Sequence, residues 1–305
     1  MKRCILNIWF IILPFFAFTQ IHFLSDQYVF NALAINPAFA GSKDALCISL
    51  LHRNQWIGFE GAPKTMTVSI HTSIRNENTG LGILFINDKI GVSNQTSLSG
   101  NYAYRIDMGN GKLAFGIAAA LSVNNTNWSE LAKIDLDDEQ LLNNSPTTVL
   151  PNFSTGVYYK TGNYFLGLSI PSLLSNVFDP ATKKNVLQSN FSEYNYFLCG
   201  GYIFKLKQDF EIFPSTLIKY QQGNKAQIDI NAQLIYSKKF WLGATYRSNK
   251  SLVSMLQFQL NDQFRVAYSY GLDLGKLSKF NTGSHEIMLH YEFSYLVEVI
   301  GPRNF

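Results

Sequence analysis

From about residue 44 to residue 296 apolar and polar residues alternate in segment after segment. That period of two belongs to a strand lying between two different environments. In residues 226–236, Ile228, Ile230, Ala232, Leu234 and Tyr236 oppose Gln227, Asp229, Asn231 and Gln233. Residues 65–74, 264–273 and 284–293 repeat the pattern. The spacing predicts strands at 44–56, 63–75, 79–88, 94–107, 112–124, 151–161, 163–171, 193–205, 209–221, 225–237, 239–248, 251–261, 263–273 and 284–296. A soluble core needs one or two such faces, whereas a closed wall between lipid and a lumen needs them almost everywhere. The expected fold is therefore all-β, a transmembrane outer-membrane β-barrel of about fourteen antiparallel strands.

The connections give an independent sign of the same architecture. The long ones, 125–150, 172–192 and 274–283, all fall in the odd series, and the even ones, such as 108–111, 206–208 and 262, are short. Outer-membrane barrels have short periplasmic turns and longer external loops. This parity places both barrel ends in the periplasm. Tight turns are signalled by Asn110-Gly111, Gly223-Asn224 and Asn261-Asp262, residues that tolerate the left-handed backbone of hairpins.

Ahead of the strands, Lys2 and Arg3 precede an apolar run from Cys4 to Phe18, the layout of a secretory signal peptide cleaved before Gln20. The competing reading, a membrane anchor, needs a run of roughly 20 apolar residues. The chain thus divides into a signal peptide (1–19), a periplasmic or lumenal segment (20–43), the barrel (44–296) and a periplasmic tail (297–305). Charged residues are 15% of the chain and aromatics 14%. The charge falls well below the roughly 25% usual in soluble domains, as a lipid-facing wall requires. A large soluble all-β protein is the alternative. The net charge of +4 is spread along the chain with no basic stripe, so no nucleic acid partner is expected. Cys47 and Cys199 lie far apart in separate strands, and a free pair is favoured over a disulfide.

Several positions carry residue types suited to binding or catalysis. Asn36, Pro37 and the glycine-containing run to Ser42 suit either a segment that plugs the barrel or contacts a partner, or an ordered lead-in to the first strand. Trp56 and Phe59 sit in a glycine-rich loop, where they are either a partner's anchor or part of the interfacial aromatic girdle, the reading favoured here. Asp135, Asp137, Asp138 and Glu139 lack the order of a calcium-binding loop and read as a solvated acidic face. Ser69 and His71 share a face of one strand without a third member or a nucleophile elbow, so no enzyme activity is expected. His22, His52, His285 and His290 show no ligand spacing, and no metal or cofactor is assigned.

DQYVFNALAINPAFAGS (26–42), RNQWIGFEGAPKTMTVSIHT (53–72) and further stretches along nearly the whole mature chain resemble the PorP/SprF family, outer-membrane proteins of the type IX secretion and gliding motility systems of Bacteroidetes. DQYVFNALAINPAFAGS (26–42) is similar to the family's opening motif, with Ala32 where proline is common. RNQWIGFEGAPKTMTVSIHT (53–72) is the most specific match, continued by GLGILFINDKIGVSNQT (80–96), FWLGATYRS (240–248), QFQLNDQFRVAYSY (257–270) and GSHEIMLHYEF (283–293). The closing GPRNF is similar to the Pro-Arg-x-Phe ending of some members.

The resemblance implies a non-enzymatic protein of the cell outer membrane that associates with periplasmic ring and core components of the secretion system. It also implies support for the export or surface attachment of a secreted adhesin-like protein. In the last strand Leu289, Tyr291 and Phe293 alternate, and a terminal aromatic there resembles the signal read by the outer-membrane assembly machinery. Pro302, Arg303 and Phe305 then form a tail too short for another spanning strand and available to a partner. A channel or porin for small solutes is the alternative function, because polar inward faces can line water.

Overall fold

The computed structural model describes residues 25–43, 45–74, 78–130, 147–179, 184–207 and 209–293. The signal peptide, the acidic run 135–139 and the tail carrying Pro302, Arg303 and Phe305 lie outside the described residues. In chain order the strands are β1 (Leu46–Asn54), β2 (Lys64–Ile74), β3 (Thr79–Ile90), β4 (Ser93–Met108), β5 (Gly111–Thr126) and β6 (Thr148–Lys160). There follow β7 (Tyr164–Ile170), β8 (Ser175–Asp179), β9 (Lys184–Gln188), β10 (Asn195–Tyr202), β11 (Phe204–Lys207) and β12 (Phe210–Gln221). The chain continues with β13 (Gln227–Tyr236), β14 (Phe240–Arg247), β15 (Ser251–Gln259), β16 (Phe264–Asp273) and β17 (Ser284–Phe293).

Setting aside β8, β9 and β11, the remaining fourteen strands form one closed antiparallel barrel. Each pairs with its chain neighbours, β10 bridges β7 and β12, and β1 closes the ring on β17 from Leu46↔Phe293 to Asn54↔His285. Every strand expected from the sequence is present. The segment expected at 193–205 is interrupted at Ile203. β7 begins at Tyr164, opposite Tyr202, so the chain beyond that point has a neighbour only on the β12 side and continues as the short β11. The connection expected at 172–192 contains a two-stranded hairpin of its own, β8 with β9. All the long connections emerge at one rim, called here the long-loop rim; the short-turn rim is the other.

Period-two alternation appears directly in the burial of each strand. Along β13, Ile228, Ile230, Ala232, Leu234 and Tyr236 are exposed on the outer surface, and Asp229, Asn231, Gln233 and Ile235 are buried inside. The outer surface is an apolar band, with Leu50, Ile83, Leu98, Ile117, Phe153, Leu166, Leu242 and Leu256 among its exposed side chains. Near the short-turn rim the band ends in aromatic rings that touch across strands: Tyr164 with Tyr202, Phe210 with Tyr236, Phe240 with Phe258 and Phe264 with Tyr291. The tyrosines among them, rings with a polar tip, suit the headgroup level of a membrane. Leu289, Tyr291 and Phe293 belong to this outer surface, with Tyr291 Oη donating to Gln263 Oε1 at 2.8 Å and its ring against Phe293 at 4.3 Å.

The two faces predict opposite responses to substitution. Ile230 is 59% exposed on the outer band, so Ile230→Arg should cost roughly 2–4 kcal/mol near the bilayer midplane and reduce the heat-modifiable barrel recovered in outer membranes. Asn231 points inward and donates to Thr245 Oγ1 at 2.6 Å, so Asn231→Ala should cost about 1 kcal/mol and leave assembly intact. Equal losses from both would invert the assignment of faces.

Candidate functional site: the occupied lumen

The barrel does not enclose an open pore along its length, because residues 25–43 fold back inside it. This segment holds two 3-10 turns, Ala32–Ala34 and Pro37–Phe39, and buries almost every residue from Ser25 to Gly41. The second turn starts as its sequence dictates. Asn36 is extended, its Oδ1 accepts from the backbone N–H of Ala38, and Pro37 supplies the fixed φ of a first turn.

One end of this plug is fixed by charge. The Asp26 carboxylate pairs with Arg53 on β1 and with Arg247 on β14, the latter at 3.1 Å. Arg247 also donates to Asp229 on β13 at 3.0 Å, and Arg53 to Glu286 on β17 at 3.2 Å. Glu286 in turn accepts from Ser25 Oγ at 2.7 Å and from the backbone N–H groups of Asp26 and Gln27 at 3.0 Å each. The three carboxylates are fully buried. Such groups are tolerated only when paired and fully hydrogen-bonded.

The rest of the plug is held by packing and by polar groups of the wall. Ser69 Oγ donates to Asn31 Oδ1 at 2.8 Å, Ser169 Oγ to the Ile35 carbonyl at 2.6 Å, and the Gly41 N–H to His71 Nδ1 at 3.3 Å. Ser69 and His71, which shared a face in the sequence, thus both serve the plug. Asn36 Nδ2 donates to the Val157 carbonyl at 3.0 Å. Phe39 stacks edge-on against His71 and Tyr158. Phe30 packs with Leu51, Ala267 and Met288, and with Phe213, Ile235 and Trp241. A water-filled lumen has no use for an apolar patch on its inner wall; an apolar plug does.

Three inward positions of the wall are glycine because the plug touches them, two through its backbone and one through the Asn36 side chain. A Cβ on Gly80 would overlap the Ala40 carbonyl, one on Gly116 the backbone of Ala38, and one on Gly156 the side chain of Asn36. Gly41 sits opposite Gly80 with φ +65°, in the left-handed region that a side chain would strain.

The plug separates two spaces. Toward the long-loop rim lies a vestibule of about 820 Å³, floored by Leu33 to Pro37 and walled by Arg53, Asp88, Gln95, Ser122, Lys219 and Arg247. Trp56 lines its mouth, with backbone in the left-handed region (φ 50°), whereas Phe59 is 49% exposed at the loop surface. Toward the short-turn rim a smaller cavity of about 200 Å³ lies under Tyr28, Phe39, Lys43, Arg265 and His290. Of the residues singled out in the sequence, the structure brings Asn36, Pro37 and Trp56 to the vestibule, leaves Phe59 outside it, and sets Leu289, Tyr291 and Phe293 on the outer wall. Sequence reasoning missed Asp26, Arg53, Arg247 and Glu286. Their one visible sign is ionisable residues in strands at positions facing the lumen. Cys47 and Cys199 are both free and buried.

The sequence model of the family described as Type IX secretion system membrane protein PorP/SprF matches residues 17–291. No curated protein matches the chain. Among solved structures, the CymD monoaromatic hydrocarbon channel is similar at 12% identity and TM-score 0.54, over 87% of this chain and 92% of that one. The deltaS2 mutant of the TodX monoaromatic hydrocarbon channel is similar at 12% identity and TM-score 0.52, over 87% and 94%. The outer membrane protein Omp33 of Acinetobacter baumannii has 8% identity and TM-score 0.47, over 83% and 99%. At such identities the likeness to the two hydrocarbon channels concerns the barrel fold alone.

Two kinds of substitution should unseat the plug. Gly116→Val forces overpacking worth about 1–3 kcal/mol against Ala38, and should raise single-channel conductance in planar bilayers. Gly100→Val, where a new Cβ meets open space, should leave conductance at the wild-type level. Arg53→Ala leaves the buried Glu286 carboxylate without its cation and Asp26 with Arg247 alone, at a cost of about 3–5 kcal/mol, and should expose the plug to protease added to the detergent-solubilised barrel.

Proposed function

The chain belongs to the PorP/SprF family of type IX secretion membrane proteins, and on that premise we propose that it serves the secretion and gliding machinery as an outer-membrane docking component. In this reading the barrel is an anchor. Its short-turn rim faces the periplasm and engages ring and core components of the machine, and the protein supports export or surface attachment of an adhesin-like cargo. The observation that carries the reading is the occupied lumen: a segment anchored through buried ion pairs at Asp26, Arg53, Arg247 and Glu286 fills the space a solute channel would keep open.

The same reading gives the vestibule to the cargo side. It opens at the rim of long loops, which in outer-membrane barrels is the external one, and Trp56 stands at its mouth. Trp is the residue type most often found as an interface anchor. Asn36 and Pro37 lie on the vestibule's floor, both largely buried, with Asn36 fastened to the wall through the Val157 carbonyl. On the opposite side the carboxy-terminal residues Pro302, Arg303 and Phe305 are proposed as a periplasmic contact, separate from the Leu289, Tyr291 and Phe293 surface that serves barrel insertion. No chemistry of catalysis is required for any of these roles.

Purified protein in liposomes should therefore pass small solutes no faster than protein-free vesicles, and should copurify from mild detergent with periplasmic ring components. Deleting residues 299–305 should leave a heat-modifiable barrel in the outer membrane while weakening that copurification, whereas Phe293→Ala should reduce insertion itself. Robust flux through the wild-type barrel, or copurification unaffected by the deletion, would count against the docking role.

A further inference from the structure

Where β1 meets β17 at the short-turn rim, the register brings three potential ligands together from opposite ends of the barrel sequence. Cys47 pairs with Glu292 and Ser49 with His290 across the closing seam. The Cys47 Sγ, a His290 ring nitrogen and a Glu292 carboxylate oxygen all lie within 4.8 Å of one another. Thiolate, imidazole and carboxylate form a donor set that suits Zn²⁺, whose four-coordinate sites commonly mix Cys, His and carboxylate ligands. We propose that Cys47, His290 and Glu292 form a binding site for a borderline divalent cation such as Zn²⁺ at the seam of the barrel. The proposal goes beyond the docking role and does not depend on it.

Three further observations support it. First, His290 Nδ1 lies 2.6 Å from Ser49 Oγ. Its Nε2 faces Glu292 Oε1 at 2.8 Å; with the proton at Nδ1 donated to the Ser49 hydroxyl, a metal would sit between Nε2 and that carboxylate, and such an outer partner is the usual companion of a metal-ligating histidine. Second, the place already attracts a cation. The Lys43 ammonium rests on the Glu292 carboxylate and stands 3.3 Å from His290 Nε2. Its side chain is 32% exposed, so it can swing away when a metal takes its position. Third, His290 and Lys43 line the cavity beneath the plug, which gives an approach from the short-turn rim.

Two other cations near the cluster are engaged elsewhere: Lys160 donates to the Ser42 carbonyl at 3.4 Å, and Arg265 is held on β16. Arg265, opposite His290 in the register of β16, donates to Gln259 at 2.8 Å and lies over the Trp241 ring at 4.5 Å. On binding, the metal–sulfur bond forms as the Cys47 thiol releases its proton to solvent. Ligand atoms in a tetrahedral zinc site stand about 3.3–3.8 Å apart, so the three side chains adjust by up to about an ångström, with His290 Nε2 and Glu292 Oε1 moving apart from 2.8 Å. A water molecule completes the fourth position.

The test uses full-length mature protein in detergent, without a polyhistidine tag. Titration with Co²⁺ alone should give a thiolate-to-cobalt charge-transfer band that saturates at one equivalent and is bleached by Zn²⁺. Cys47→Ser should abolish the band, and His290→Gln should weaken binding about tenfold or more. Cys199→Ser should leave the band unchanged. Lys43→Ala should tighten Zn²⁺ binding severalfold, because it removes the competing ammonium while keeping all three ligands. Heat-modifiability on gels confirms that each variant is a folded barrel. If a folded wild-type barrel shows no charge-transfer band, or if the band survives Cys47→Ser or disappears in Cys199→Ser, the site does not exist. Weaker Zn²⁺ binding in Lys43→Ala would likewise overturn the assignment, since it would make Lys43 a support of the site rather than its competitor.

Discussion

Hydrocarbon offers no partner to a backbone amide, so a chain that crosses it as strands must pair every strand on both sides. The β1–β17 ladder meets this demand by joining the two ends of the barrel sequence. Had it been absent, two edges of unpaired N–H and C=O groups would face lipid, each group costing several kcal/mol. Alternation follows from the same requirement. Once the ring is closed, one face of every strand belongs to lipid and the other to an enclosed interior, which is why Ile230 and Asn231 stand side by side with opposite surroundings.

Enclosure then raises the question of what fills the interior. Asp26, Asp229 and Glu286 bring three carboxylates into a space largely closed to water, and Arg53 and Arg247 answer them in a chain of shared pairs. Buried ion pairs of this kind add little net stability over an apolar filling, but they punish any other seating of the plug, since an unpaired partner is costly. Apolar packing around Phe39, Tyr158, Phe197 and Leu217 supplies the non-directional attraction, and the charges fix the register. The glycines at 80 and 116 set the depth to which the plug backbone can approach, and Gly156 makes room for the Asn36 side chain.

How much of this could be read from the chain differs sharply between wall and interior. The wall was legible because strand, turn and loop parity are local signals: 94–107 was expected and Ser93–Met108 is found. The break at Ile203 was hidden, because it depends on where β7 begins, about forty residues away. The plug was open to two readings, since Asn36 and Pro37 signal a turn wherever it lies. Ser25 and Glu286 are 261 residues apart, and no spacing rule links them. Likewise the histidines show no metal spacing along the sequence; Cys47, His290 and Glu292 meet only through the register of the closing pair. Inward apolar residues such as Ile235 and Trp241 were the overlooked sign, because in a wall facing water they have no role.

Because the plug is joined directly to β1, it behaves as a ligand tethered to its own receptor. A short tether gives an effective concentration in the millimolar range, so occupancy persists even where the untethered peptide would bind weakly. The receptor is discontinuous. Arg53 comes from the first strand, Gly116 and Gly156 from the middle of the chain and Glu286 from the last. It is therefore assembled only when the final strand has zipped to the first, and the free energy of plug binding is added to that of ring closure. By the same linkage, any partner that draws the plug out must work against the closure of the barrel, and a barrel held shut from elsewhere is the one from which the plug is most safely released.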